Sequence, residues 1–331
     1  MESQSLKLFA ELGWGILGTD VEVAVAIFTR KKNPTTIFAN IVGVEDQADE
    51  LSCVFKEAKR YLIHHIQVFS VIEKCPFAYQ ISSVLLDSFK KRLFLSHTLF
   101  EGAGGVTASE SDRVFRCWWE VKSKEIGRYQ AWSFCQNGTP YSPLYYPTYF
   151  VIRSDAGTFN TVKSYPNART PNIEKYWMPG LAYGKRTLDM YTYPLPADQV
   201  ITWEGQALFP TSMIHAWQSL ALTNSSLYSR LSNLVAGQHK YAGYLNTICF
   251  DTSQLKDMKE HAVSGYQSVR KIDELNELSH TFSPFILADG FSKNALNRLV
   301  NEELIRLSSI LLLKQPVFKD VPHLVAHTYP L

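Results

Sequence analysis

The side chains able to ligate a metal or act as nucleophiles are nine histidines, five cysteines and 31 carboxylates. Their spacing is unhelpful to chemistry. His64-His65 is the only paired histidine, and no cysteine or carboxylate stands beside it at ligand spacing, which argues against a zinc site. The cysteines, at 53, 75, 117, 135 and 249, are odd in number and form no C-x-x-C pair. That excludes a disulfide framework and fits a reducing cytoplasm. Cys249 is expected as a buried small apolar residue in a strand. Gly102-Ala103-Gly104-Gly105 lacks a preceding strand, the G-x-G-x-x-G spacing and a Lys-Ser/Thr ending, so it reads as a flexible connection or ligand-facing loop, not a phosphate cradle. No G-x-S-x-G is present. The acids Glu45, Asp46, Asp49 and Glu50 read as a solvated helix start, where negative charge favours the dipole. No catalytic, cofactor-binding or metal residue is assigned.

Charge and rings are more informative. The 33 basic and 31 acidic residues nearly cancel. The excess lies in the middle: residues 111–190 hold 11 basic against 6 acidic residues, while the flanks are slightly negative. The same stretch gathers aromatics, among them Trp118, Trp119, Tyr129, Trp132, Tyr176, Trp177 and Tyr183. Cations neutralise phosphates and rings stack on bases or sugars, as a nucleic-acid surface requires. The same composition also suits a β-rich module with an aromatic core and ordinary surface lysines.

The elements that would carry these residues can be read from periodicity. At 331 residues and 46% apolar, the chain has room for two or three domains and a sizeable core. No run of about 18 uncharged apolar residues suggests a membrane span, and the mixed-charge start is not a signal peptide. Residues 21–28 and 37–43 read as strands joined by TRKKNPTT, together a hairpin with a charged tip. Helical spacing runs from 46 to 72, with Asp46 as N-cap, and again over 79–95. Strands are expected in VFRCWWEV, YFVIRS and QVITWEGQALFP, the first placing Trp118 and Trp119 on opposite faces. Helices return at 213–237, broken near Thr223–Ser226, and at 254–279 and 293–313. Asn224-Ser225-Ser226 is expected to cap a second helix.

Several phrases, taken in order, resemble the back half of a known enzyme type. They are LFAELGWGILGTDVEVAVAIFTRK at 8–31, IEKCPFAYQISSVLLDSF at 72–89, SDRVFRCWWEV at 111–121, YSPLYY at 141–146, YWMPGLAYGKRT at 176–187, GQALFP at 205–210 and SLALTNSSLYSRLSNLVAGQHKYAGYLNTICF at 219–250. Their succession is similar to large single-chain N6-adenine DNA methyltransferases of the BREX phage-defence kind (the PglX family) and related type IIG restriction–modification enzymes. Those enzymes grip a flipped adenine with an Asn/Asp-Pro-Pro-Tyr/Phe motif. Neither Asn-Pro-Pro nor Asp-Pro-Pro occurs here; Asn33-Pro34 is followed by Thr35-Thr36. The resemblance therefore implies the end of a catalytic domain plus the target-recognition region, without the active site.

What it implies is a mixed α/β chain in three parts. Residues 1–110, a short N-terminal strand pair with helices, would dock on or complete a methyltransferase domain. Residues 111–250 would be a β-rich target-recognition domain, and 251–331 a C-terminal helical segment. The function implied is sequence-specific recognition of double-stranded DNA. S-adenosylmethionine would be bound by a catalytic partner, and the N-terminal strands could self-associate. An interaction subunit of a defence complex, or an enzyme of unrelated chemistry, are the alternatives. Arg186 is expected as a base or phosphate contact, with Lys185 on phosphate and Thr187 beside them, displayed by a turn after Pro179-Gly180. Arg169 lies in, and Lys175 just after, the loop 166–172, which is either groove-entering or an ordinary mobile loop. Trp177 and Tyr183 are base-stacking or core rings. Lys240 and Tyr241 are phosphate binders, or Lys240 is a charge favoured at a helix C-terminus.

Overall fold

A computed structural model describes residues 5–18, 21–31, 35–56, 62–72, 77–79, 86, 100–212, 215–248, 258–282, 298 and 301–302. The chain divides into two compact units, 1–91 and 92–331.

In the first unit, Leu6, Leu8 and Ala10 alternate with more exposed neighbours along Ser5–Gly13 (β1), so one face of the strand is buried. Val23–Thr29 (β2) pairs antiparallel with β1, and Thr36–Asn40 (β3) pairs parallel with it. Leu62–His64 (β4) closes the order β2-β1-β3-β4. The expected hairpin is therefore corrected: β2 and β3 are both strands, but β1 lies between them. Alternation reveals a strand's faces and not its neighbour. Gln47–Lys56 (α1) starts where expected, with the Asp46 carboxylate accepting the Asp49 N–H at 2.9 Å. It does not continue to 72, since the chain turns into β4 and a 3-10 turn at Ile66–Val71. Leu8, Ala10, Ala39, Ile41 and Val54 form the core. Most of the expected helix 79–95 lies outside the described residues.

The second unit holds two four-stranded sheets. One contains Phe100–Ala103 (β5), Gly180–Gly184 (β9), Tyr193–Leu195 (β10) and Gly205–Pro210 (β12), in the order β10-β9-β12-β5. The other contains Phe115–Cys117 (β6), Trp132–Gln136 (β7), Phe150–Arg153 (β8) and Gln199–Ile201 (β11), in the order β11-β7-β8-β6. Their shared core includes Val106, Cys135, Ile152, Phe159, Tyr176, Tyr191, Tyr193, Val200 and Phe209. Much of the aromatic content is thus core.

The glycine-rich stretch is not a loose connector. Phe100–Ala103 is a strand paired with β12. Gly105 and Val106 donate their N–H groups to Thr202 and Ile201 carbonyls at 3.1 and 3.0 Å. A Cβ on Gly105 would fall 1.9 Å from the Ile201 carbonyl oxygen. The glycine is there so that two backbones can touch.

Around residue 115 the strand is shorter than expected. Ser111–Val114 (α2) is a helical turn, and Trp118–Glu120 is a 3-10 turn after β6. Trp118 and Trp119 consequently sit edge to face at 5.8 Å and not on opposite faces of a strand. Asn160–Lys163 (α3) is a further single turn.

The helical break is where the sequence puts it. Ala216–Thr223 (α4) ends, and Ser226–Ala236 (α5) begins with Ser225 as N-cap, its hydroxyl accepting the Tyr228 N–H at 3.2 Å. Asn224 donates to the Thr192 and Leu220 carbonyls at 2.9 and 2.8 Å and accepts from the Thr192 N–H at 3.2 Å, tying the break to the strand region. Ala242–Leu245 (α6) and Lys259–Asp273 (α7) follow. Cys249 and nearly all of 293–313 lie outside the described residues. Among those described, no helix is long and apolar enough to cross a membrane.

Candidate nucleic-acid interface

Lys185, Arg186 and Thr187 leave the end of β9 and meet residues 238–240 coming from the end of α5. Lys240 N–H donates to the Lys185 carbonyl at 2.8 Å, Thr187 N–H to Gln238 at 3.1 Å, and Arg186 bridges His239. Pro179-Gly180 does not form the displaying turn, because Gly180 opens β9. What displays Arg186 is alternation at the strand's end: Lys185 points in and Arg186 out.

The consequence for charge is large. Lys185 is only 2% exposed. Its ammonium pairs with Glu204 Oε1 at 2.7 Å and lies 5.0 Å over the Trp203 ring and 5.5 Å over Tyr241. A desolvated ammonium needs such partners, and they leave it no surface for a phosphate. The expected phosphate contact at Lys185 is corrected to a structural one. Arg186 is 68% exposed, with its Nε 3.6 Å from Glu204 Oε2. Thr187 is half-buried, its hydroxyl donating to the Asp189 carbonyl at 2.6 Å.

Lys240 is fully buried as well. Its ammonium donates to Asn233 Oδ1 and the Gly237 carbonyl at the end of α5. That is the helix-terminus alternative, in which a cation satisfies the last carbonyls. Tyr241 is half-buried and lies in a run of rings. Trp203 is 5.6 Å from it, His239 6.0 Å and Tyr244 6.3 Å. Trp203 and Tyr244 are 40% and 41% exposed. Arg186, His239, Tyr241, Tyr244 and Trp203 thus form one aromatic and basic surface, held from beneath by Lys185.

The remaining candidates go elsewhere. Arg169 is exposed, but its backbone pairs with Thr107 in both directions at 2.9 and 3.0 Å, and Asn172 Nδ2 donates to the Gly104 carbonyl at 2.8 Å. The middle of the loop 166–172 and its C-terminal end are therefore anchored. Lys175 forms an ion pair with Glu101 at 2.7 Å and lies over Phe209 at 5.5 Å. Trp177 is half-buried and donates its indole N–H to Ser133 Oγ at 3.1 Å. Tyr183 is fully buried, with burial holding its hydroxyl well above the usual tyrosine range, and it donates to Gln206 at 3.3 Å. A base-stacking role for Tyr183 is corrected, since no face of its ring reaches solvent.

Trp203, His239 and Tyr244 were not singled out by sequence. Trp203-Glu204 forms the tight turn between β11 and β12, marked by the Thr202 N–H to Gly205 carbonyl bond at 3.0 Å. The Glu-Gly step was the available signal for that turn.

No known family profile matches this chain, and a comparison with curated proteins returns no match. Among solved structures, it is similar to the type IIL restriction–modification enzyme MmeI in complex with DNA. The TM-score is 0.48 at 10% sequence identity, covering 93% of this chain and 45% of that one. The chain thus spans under half the length of that enzyme.

Proposed function

We propose that this chain reads duplex DNA as the sequence-recognition part of an adenine-N6 methyltransferase, within a restriction–modification or BREX phage-defence system. Methyl transfer and the S-adenosylmethionine it consumes belong to a catalytic partner. The observation that carries the reading is the surface formed by Arg186 with His239, Trp203, Tyr241 and Tyr244. A guanidinium donates bidentately to a phosphate or to guanine O6 and N7, and the neighbouring rings exclude water and pack on sugar or base. The ordered resemblance of the chain's phrases supports it independently. Arg169 and Thr187 are retained as outer contacts.

The test is fluorescence anisotropy with labelled duplex DNA across about 50–200 mM salt, the range over which phosphate contacts weaken binding steeply. Arg186→Ala is expected to cost about 1–3 kcal/mol if the contact is to a base, or to lower the salt slope by about one if it is to a phosphate. Binding that is flat with salt, or absent, overturns the reading. The same proposal includes the catalytic partner and self-pairing along β2, whose described pairing is on one side only. Light scattering reads both; a lone monomer in the presence of the methyltransferase counts against them.

A further inference from the structure

The sheet β11-β7-β8-β6 carries a second basic and aromatic cluster that lies outside the surface just described. Trp132 faces Arg153 in the β7–β8 register, and Arg116 faces Val151 in the β6–β8 register, which puts all three side chains on one face. Arg116 and Arg153 both lie over the Trp132 ring, at 6.0 and 5.4 Å. Their donors are partly engaged: Arg116 Nη1 with the Asp112 and Phe115 carbonyls, Arg153 Nε with Asp155 at 2.7 Å.

Arg128 differs. Its guanidinium lies 5.3 Å over Tyr129 and 5.6 Å over Trp177. Among the described residues its guanidinium has no hydrogen-bond or ion-pair partner. Rings occupy the faces of a planar cation and leave the N–H edges open. Beside it Tyr129 is 72% exposed.

The tip bearing these two residues is firmly tied. Gly127 N–H donates to Trp132 at 2.7 Å, Ala156 N–H to Gln130 at 2.8 Å, and Ser133 Oγ to the Gly127 carbonyl at 3.1 Å. Around it sit four non-glycine residues with left-handed backbones: Asp155, Ala156, Phe159 and Trp177, with φ of 46°, 56°, 53° and 58°. Such strain persists only where the surroundings over-determine it, and it gathers at ligand clamps. An exposed tyrosine beside an open arginine, on a rigid tip ringed by strained backbone, matches a nucleotide in chemistry: phosphate for the edge, sugar or base for the ring.

We propose that Arg128 and Tyr129 form a second contact on the nucleic acid, Arg128 clamping a backbone phosphate and Tyr129 packing on the adjoining sugar or base. This rests on the DNA-reading function above. The experiment is anisotropy with the labelled duplex against salt, using wild type, Arg128→Ala, Arg128→Lys, Tyr129→Ala and Arg186→Ala. Arg128→Ala should weaken binding at least about fivefold and lower the salt slope by about one. Arg128→Lys should restore the slope but not the full affinity, because a point charge lacks the fork. Tyr129→Ala should weaken binding with the slope unchanged. Wild-type affinity and slope in both alanine variants, alongside impaired Arg186→Ala, would overturn this contact alone. A wild type that binds no duplex overturns the parent reading, and this contact falls with it.

Discussion

The buried ammonium of Lys185 is held 2.7 Å from Glu204, a residue contributed by the turn that also projects Trp203. The ion pair therefore fixes one of the exposed rings of the interface. The two partners are unequally placed, since the Lys185 side chain is 2% exposed and that of Glu204 39%. Removing the carboxylate strands a charge in the interior, whereas removing the lysine leaves an acid that water can reach. Glu204→Ala should cost about 1–3 kcal/mol in urea denaturation, the range for an unsatisfied buried group. Lys185→Met, which keeps the stem, should cost less. The reverse order would mean that the pair is not what stabilises the turn. Replacing Lys185 and Arg186 together would mix folding with binding, so Arg186 alone is the clean binding probe.

Gly104 and Gly105 are adjacent and should behave oppositely. A Cβ on Gly105 meets the Ile201 backbone oxygen at 1.9 Å and its carbon at 2.3 Å. That carbonyl is already bound to Val106 N–H, so it has little room to move. Gly105→Ala should cost about 3 kcal/mol or more, the upper range for overpacking. At Gly104 the nearest atoms, on Gln206 and Trp203, are 3.5 Å away, an ordinary contact. Gly104→Ala should change stability by about 1 kcal/mol or less. Equal effects from the two substitutions would restore the flexible-loop reading.

What could be read from sequence is what depends on near neighbours. The Asp46 cap, the strand at 150–153 and the cap at Ser225 are all decided within a few residues, and each is present. Properties set by distant chain were not legible. Lys185 looks like a surface cation until the acid at 204 arrives to bury it. Asn224 reads as a cap residue, yet its amide is spent on Thr192 across 32 positions. The run 199–210 reads as one strand if the Glu204-Gly205-Gln206 step between its two apolar stretches is passed over. It is two strands in different sheets, and the turn between them is what exposes Trp203.

Asp155 provides the pH-dependent test. Partial burial alone would raise its pKa, but hydrogen bonds from Thr161 and Arg153, with the Arg153 charge, outweigh that and hold the carboxyl below its ordinary value. The donors are Thr161 N–H at 2.7 Å, Arg153 Nε at 2.7 Å and the Thr161 hydroxyl at 3.1 Å. A folded-state pKa below the unfolded one means that the unfolded chain binds the proton more readily. The stabilisation is therefore complete above the unfolded value of about 3.9, and it is lost as pH falls through the folded value. Asp155→Asn keeps the shape and a left-handed tolerance at this position, and removes the charge. It should lower stability at pH 7 by about 1–2 kcal/mol, the scale of hydrogen bonds to a charged group. The deficit should hold constant down to about pH 5, begin to shrink below about pH 4, and vanish only below the folded-state value. Urea midpoints for both proteins at pH 7, 5, 4 and 3 measure it, and a deficit that persists unchanged at pH 3 would show that the charge contributes nothing. The next residue, Ala156, carries the N–H that ties down Gln130 beside the Arg128–Tyr129 tip. Loosening of that tip in Asp155→Asn should therefore follow the same pH course as the stability difference.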